Sequence, residues 1–180
     1  MRIDNDSKIL SLYQDGRHQD ALKLLMESYQ ERLYWHIRRI LISHDDTDDV
    51  LQNTIIKVWK GLAKFKGDSQ LYTWMFRIAS NETFSFIEKN KKQKLHVDIS
   101  ENFEFKDHSS PEDLTGEEIQ EKLEKAIATL PEKQRMVFHL KYYEEMKYSE
   151  ISSVLGTSVG ALKANYHLAV KKIEEFLKTN

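Results

Sequence analysis

Apolar residues recur along this chain in steps of three and four, and little interrupts them: 180 residues contain only two prolines and six glycines. That spacing winds onto one face of an α-helix, and no run alternates long enough to make a half-buried strand. The sequence therefore predicts an all-α fold. From Gln19 to Ile42 the stripe is Leu22, Leu25, Met26, Tyr29, Leu33, Ile37, Ile40 and Leu41. A shorter helix around Ile9 to Tyr13 precedes it and ends near Gly16. A third starts after His44-Asp45-Asp46-Thr47-Asp48-Asp49 and turns Val50, Leu51, Thr54, Ile55, Val58, Trp59 and Leu62 inward. Negative charge is favoured at a helix start, and one of these aspartates is expected to cap it. The helix stops before Phe65-Lys66-Gly67-Asp68-Ser69, a loop marked by glycine and small polar residues. A fourth helix, Gln70 to Asn90, is loaded with Tyr72, Trp74, Phe76, Phe84 and Phe86 and leaves through Lys89, Lys91, Lys92 and Lys94. Trp74, Ile78 and Phe84 share one face and read as core.

Composition then shifts. Residues 97–118 hold eight acids and one base, a balance of −7, and lose all periodicity. This reads as a solvated linker. The expected organisation is two small helical domains, 1–95 and 118–180, joined by a flexible acidic linker, 96–117. The second domain carries helices from Ile119 to Thr129, Lys133 to Tyr143, Tyr148 to Leu155 and Ser158 to Leu177, with Met136, Val137, Leu140 and Tyr143 buried. Gly156 follows Leu155 at once and suits the left-handed residue that ends a helix tightly. Ser158 suits the next N-cap. Val159, Leu162, Tyr166, Ala169 or Val170, and Ile173 are expected inside, and Ser152 is small where two helices cross. This is a helix-turn-helix pattern, with Gly160, Lys163, Ala164 and His167 left outside. Small residues let such a helix sink into a DNA major groove, and a lysine there reaches bases or phosphates.

The formal net charge of −2 speaks against a nucleic-acid partner only if the charges are evenly mixed, and they are not. Outside 97–118 the balance is +5; residues 71–96 carry +3 and residues 157–180 carry +2. Two mildly basic surfaces are offset by one acidic segment. The absence of cysteine removes disulfides, thiolate catalysis and zinc ribbons, and it fits a cytoplasmic location. No stretch approaches the roughly 20 apolar residues of a membrane span, and the polar N-terminus has no apolar signal segment. Asp45-Asp46-Thr47-Asp48-Asp49 matches a DDxxD magnesium pattern, but no second aspartate cluster completes such a site, and the seven histidines show no ligand spacing. Catalytic residues, metals and cofactors are therefore expected to be none. A plain helix-turn-helix regulator with a helical sensor domain would account for the C-terminal half alone.

The motifs narrow the choice. Leu130-Pro131-Glu132-Lys133-Gln134-Arg135, Tyr148-Ser149-Glu150-Ile151 and Leu155-Gly156-Thr157-Ser158-Val159-Gly160-Ala161-Leu162-Lys163 resemble the promoter-binding C-terminal domain of bacterial RNA polymerase sigma factors of the extracytoplasmic-function (ECF) subfamily. Asp48-Asp49-Val50-Leu51-Gln52-Asn53-Thr54 with Val58-Trp59 resembles that family's polymerase-docking helix. Phe65-Lys66-Gly67-Asp68-Ser69 followed by Tyr72 to Asn81 resembles its minus-ten-reading loop and helix.

The resemblance implies a factor that binds core RNA polymerase and promoter DNA, starts transcription and is often held by an anti-sigma factor. It implies polymerase contacts at Asp49, Gln52 and Asn53, the last where the family usually has Glu. It implies minus-ten contacts at Phe65, Lys66, Asp68, Ser69, Tyr72, Arg77 and Asn81, with aromatic stacking on Phe65 and Tyr72 and phosphate contacts along the lysine tail. It implies minus-thirty-five contacts at Ser158, Val159, Gly160, Lys163, Ala164, Asn165 and His167. Many members carry Ser-Arg where this chain has Ala164-Asn165, and Asn is able to read adenine. Glu145 stands where the family often has Gly, so the helix before it is expected to end differently.

Overall fold

The computed structural model describes residues 2–41, 43–94 and 116–179, which form eight helices and no strand. Most of the acidic segment, 96–115, lies outside the described residues, as do the side chains of Lys91, Lys92 and Lys94. The helices are α1 (Arg2–Gln14), α2 (His18–Leu41), α3 (His44–Leu62), α4 (Leu71–Lys94), α5 (Gly116–Ala128), α6 (Glu132–Tyr142), α7 (Tyr148–Leu155) and α8 (Val159–Thr179).

The predicted stripes are the buried faces. On α2, Leu25, Tyr29, Leu33, Ile37 and Ile40 are buried; on α3, Val50, Leu51, Thr54, Val58 and Leu62. The cap of α3 is not an aspartate. Ser43, in extended backbone, accepts a hydrogen bond from the Asp46 N–H at 3.3 Å, and Asp45 and Asp46 already lie in the first turn. The acids complement the helix dipole while the serine one turn earlier satisfies the bare amide.

The helix-turn-helix forms as its local residues dictate. Gly156 ends α7 at φ +63°, and Ser158 Oγ accepts from the Ala161 N–H at 3.3 Å to start α8. Leu162, Ala169 and Ile173 are buried, with Tyr166 and Val170 partly so. Val159 is not inside: it is 38% exposed.

α6 departs most from a simple amphipathic reading. Six consecutive residues, Arg135 to Leu140, are buried. A helix covered on every side lies between two layers. One side, with Phe138, joins Ala126, Ile127, Leu130, Ala169 and Ile173 in a small C-terminal core. The other side, with Met136, Val137 and Leu140, enters a larger core that also holds Ile9, Leu25, Ile37, Met75 and Phe76. The halves on either side of the acidic segment thus share one apolar interior. A short C-terminal unit has more apolar surface than it can bury alone, and α2 and α4 cover the remainder.

Polar groups cross the same seam. Arg135 donates from Nη1 to the Ile40 carbonyl at 2.9 Å and from Nη2 to the carbonyls of Ala128 at 2.7 Å and Leu130 at 2.9 Å. It thereby satisfies carbonyls at the ends of both α2 and α5, which a helix terminus leaves without partners. Glu144, just after α6, is buried and pairs with Arg32 of α2. The next residue, Glu145, has φ +53°, the one non-glycine residue in that region among those described. Glu145 thus holds the left-handed conformation that a glycine adopts at a helix end.

Candidate nucleic-acid interface

The loop before α4 is posed by aromatic packing. Phe65 is half-buried and its ring lies 5.1 Å from that of Trp74. Trp74 in turn lies across Gly61 of α3: a Cβ at Gly61 would stand 2.8 Å from the indole ring. Gly67, at φ +79°, makes the turn, leaving Lys66, Asp68 and Ser69 exposed. Arg77 and Asn81 are exposed on α4, three and seven positions after Trp74 and so on its side of the helix. Phe65, Arg77 and Asn81 form a surface of one aromatic ring, one cation and one amide, a set able to stack and hydrogen-bond an unpaired base.

Tyr72 is not part of that open surface. It is buried, with Phe76 one turn on at 4.7 Å and the Arg32 guanidinium 4.8 Å over its ring. Its stacking faces are occupied in this arrangement, contrary to the sequence expectation, because the Tyr72–Phe76 stripe faces the seam.

On α3, Asp49, Gln52 and Asn53 are all exposed, at helical spacing along one strip. The Asn53 amide donates to the Asp49 carbonyl at 2.9 Å, so its donor is turned back onto its own helix. Where a glutamate would project a charge, this strip ends in a self-bonded amide.

On α8, Ser158, Gly160, Lys163, Ala164 and His167 are exposed, and Val159 extends the surface. Gly160, Lys163, Ala164 and His167 follow the three-and-four spacing of one face. A Cβ at Gly160 would meet nothing within 4 Å, so the helix can approach another body closely there. Lys163 Nζ lies 5.9 Å from the Tyr148 ring, which braces it beside the turn. Asn165 is half-buried and donates to the Ala161 carbonyl at 2.9 Å, so the bidentate reading of adenine is not set up in this rotamer.

Sequence reasoning missed the residues that pose these surfaces: Gly61 under Trp74, Arg32 over Tyr72, and the buried His36 and His139. His36 lies three positions after Leu33, on the apolar stripe of α2; that position was the one available signal. Burial and the nearby Arg39 push the His36 imidazole down to about 3.

Comparison with known proteins accounts for both halves. A family model for sigma-70 region 2 matches residues 25–93, and one for sigma-70 region 4 matches residues 120–173. The ECF RNA polymerase sigma-E factor of Escherichia coli is 31% identical over 178 residues, covering 94% of this chain and 92% of that protein. The RNA polymerase sigma-H factor of Pseudomonas aeruginosa is 29% identical over 184 residues, covering 97% and 95%. The fold is that of the sigma factor RpoE bound to the anti-sigma factor NepR from Bartonella quintana, with a TM-score of 0.72 at 22% identity, covering 88% of this chain and 97% of that one. It is also that of CnrH bound to the cytosolic domain of CnrY, with a TM-score of 0.71 at 22% identity, covering 98% and 99%. Among the described residues no helix is long and apolar enough to cross a membrane. With matches to both sigma-70 regions in order and to a sigma-E factor over nearly its whole length, this chain belongs to the ECF sigma factors of the sigma-70 family.

Proposed function

We propose that this chain binds core RNA polymerase and directs it to promoters, performing no chemical step itself. The helix-turn-helix carries this reading: α8 presents small and basic residues, Gly160, Lys163, Ala164 and His167, from a helix anchored by Gly156 and Ser158. In this reading residues 118–180 are the minus-thirty-five domain and residues 1–95 the polymerase-docking and minus-ten domain. Asp49, Gln52 and Asn53 face the polymerase. Phe65, Lys66, Asp68, Ser69, Arg77 and Asn81 meet the opened strand, with Tyr72 joining them once the halves part. The protein works in the cytoplasm with no cofactor. Both solved relatives described above are bound to an anti-sigma factor or its counterpart, which supports a regulatory partner of that kind for this chain.

The test is competition for core polymerase against another sigma factor, followed by start-site mapping across genomic DNA in vitro. Binding to core with discrete new start sites is expected. A chain that neither binds core nor displaces its competitor is a plain helix-turn-helix regulator instead. Asn81→Ala should impair promoter opening while leaving core binding intact.

A further inference from the structure

We infer that the loop joining α6 to α7 is an autoinhibitory clasp, in which Glu144 occupies Arg32 and so withholds Tyr72 from single-stranded DNA until the two halves separate. This rests on the reading of α4 as the minus-ten surface.

The loop is built to deliver Glu144 and Met146 into the other half. Glu144 and Met146 are buried, and Glu145 between them is exposed. The left-handed φ of +53° at Glu145 lets both its neighbours turn inward. A left-handed backbone at a non-glycine residue costs about 1–2 kcal/mol and persists only where surroundings hold it. Three contacts do so: the Glu144 N–H donates to the His139 carbonyl at 3.3 Å, the Met146 N–H to the Leu140 carbonyl at 3.1 Å, and Lys141 Nζ to the Met146 carbonyl at 3.2 Å.

The Glu144 carboxylate lands on the Arg32 guanidinium, which lies 4.8 Å over Tyr72 and 5.5 Å over Phe76. A cation beside an aromatic face is what a nucleic-acid strand uses, the cation for phosphate and the ring for a base. Here both are taken. The crevice alongside is lined by Asp6, Gln70 and Tyr72 from one half and by Glu144, Glu145 and Glu150 from the other. Four carboxylates around one aromatic ring repel a phosphate backbone. The closed chain therefore presents an acidic crevice where the open chain presents Arg32 and Tyr72. Apparent affinity for the strand falls by the fraction of chains that are open.

Glu144→Gln tests this in the free full-length chain, with a short fluorescein-labelled single-stranded DNA of mixed sequence as probe. The variant keeps the shape and loses the charge, and binding should tighten severalfold. Glu144→Asp, which keeps the charge but shortens the reach, should tighten it as well. Glu145→Gln removes an equal charge from the exposed neighbour, which does not hold Arg32, and should tighten binding less than Glu144→Gln. Because the native chain has no cysteine, single cysteines introduced at exposed Lys60 and Lys171 take a pair of distance labels cleanly. Both Glu144 variants should lengthen that distance. Equal gains from Glu145→Gln and Glu144→Gln would reduce the effect to general charge and overturn the clasp, as would folded Glu144 variants with wild-type binding and distance. Transcription with core polymerase, run in parallel on wild type, separates failure of the clasp from failure of the sigma-factor reading.

Discussion

The rings of His36 and His139 meet 5.0 Å apart in the middle of the seam, one from each half, and both are buried. Ser80 gives its proton to the Phe76 carbonyl at 2.8 Å, so His36 Nε2 donates to Ser80 Oγ at 3.0 Å, and the imidazole is neutral. Burial and Arg39 hold His36 down to about 3. Burial first, and then repulsion between the two rings if both took a proton, and the charges of Arg39 and Arg32, hold His139 well below its ordinary range.

These two imidazoles set the acid side of the stability curve. An unfolded histidine takes up a proton near pH 6.5, whereas folded His36 resists until about 3. Their contribution is complete above about pH 6.5 and is lost as pH falls through that window. His36 alone should cost about 2 kcal/mol at pH 5 relative to neutral pH. Urea midpoints at pH 7.5 and pH 5 check this. Equal midpoints would mean that the pair is solvated in solution.

Glu145→Gly should stabilise the fold by about 0.5–1 kcal/mol, the relief of a left-handed residue reduced by glycine's greater freedom when unfolded. A shift of the thermal midpoint upward is the measurement. A loss of stability would place Glu145 in contacts that matter more than its backbone.

Gly61→Ala should do harm out of proportion to one methyl group. Alanine favours helix, but its Cβ would stand 2.8 Å from the Trp74 ring, which must move and take Phe65 with it. A net loss of about 1 kcal/mol is expected, with weaker promoter opening at unchanged core affinity. Tryptophan emission and an opening assay report the two effects separately.

Lys163→Ala should weaken minus-thirty-five DNA binding and lower the slope of log affinity against log salt by about one, the signature of one lost phosphate contact. If specificity changes and the slope does not, Lys163 reads a base edge instead.

The features that sequence reasoning captured are those whose causes are local. Gly156 and Ser158 bound α7 and α8 by their own backbone preferences, and the α2 stripe follows from spacing alone. The cap of α3 went astray because five acidic and polar positions compete with Ser43 for one role. Val159 is exposed although periodicity places it on the inner face, because periodicity gives the side of a helix and not how far along it the packing runs. The seam was illegible for a different reason. Arg135 looks like a solvated charge in Lys133-Gln134-Arg135, and its partners are carbonyls at the ends of two helices that meet only in the finished fold. His139 lies within the apolar run Met136-Val137-Phe138 and Leu140, but a helix normally shows one side to solvent, and a polar residue in such a run reads as the solvated side. Of the proposed interface residues, Tyr72 comes from the resemblance, and a resemblance does not say which distant segment covers a residue in the closed chain.

The shared interior has a consequence for the order of synthesis. The cluster that opens with Ile9 closes only with Leu162. A nascent chain that has finished α4 still lacks Met136, Leu140, Met146 and Ile151, so its α2 and α4 faces stay wet while the acidic segment and α5 leave the ribosome. The late helices thus complete a core begun by the first, and a chain truncated between them should expose an apolar face that the full chain covers and be prone to aggregate.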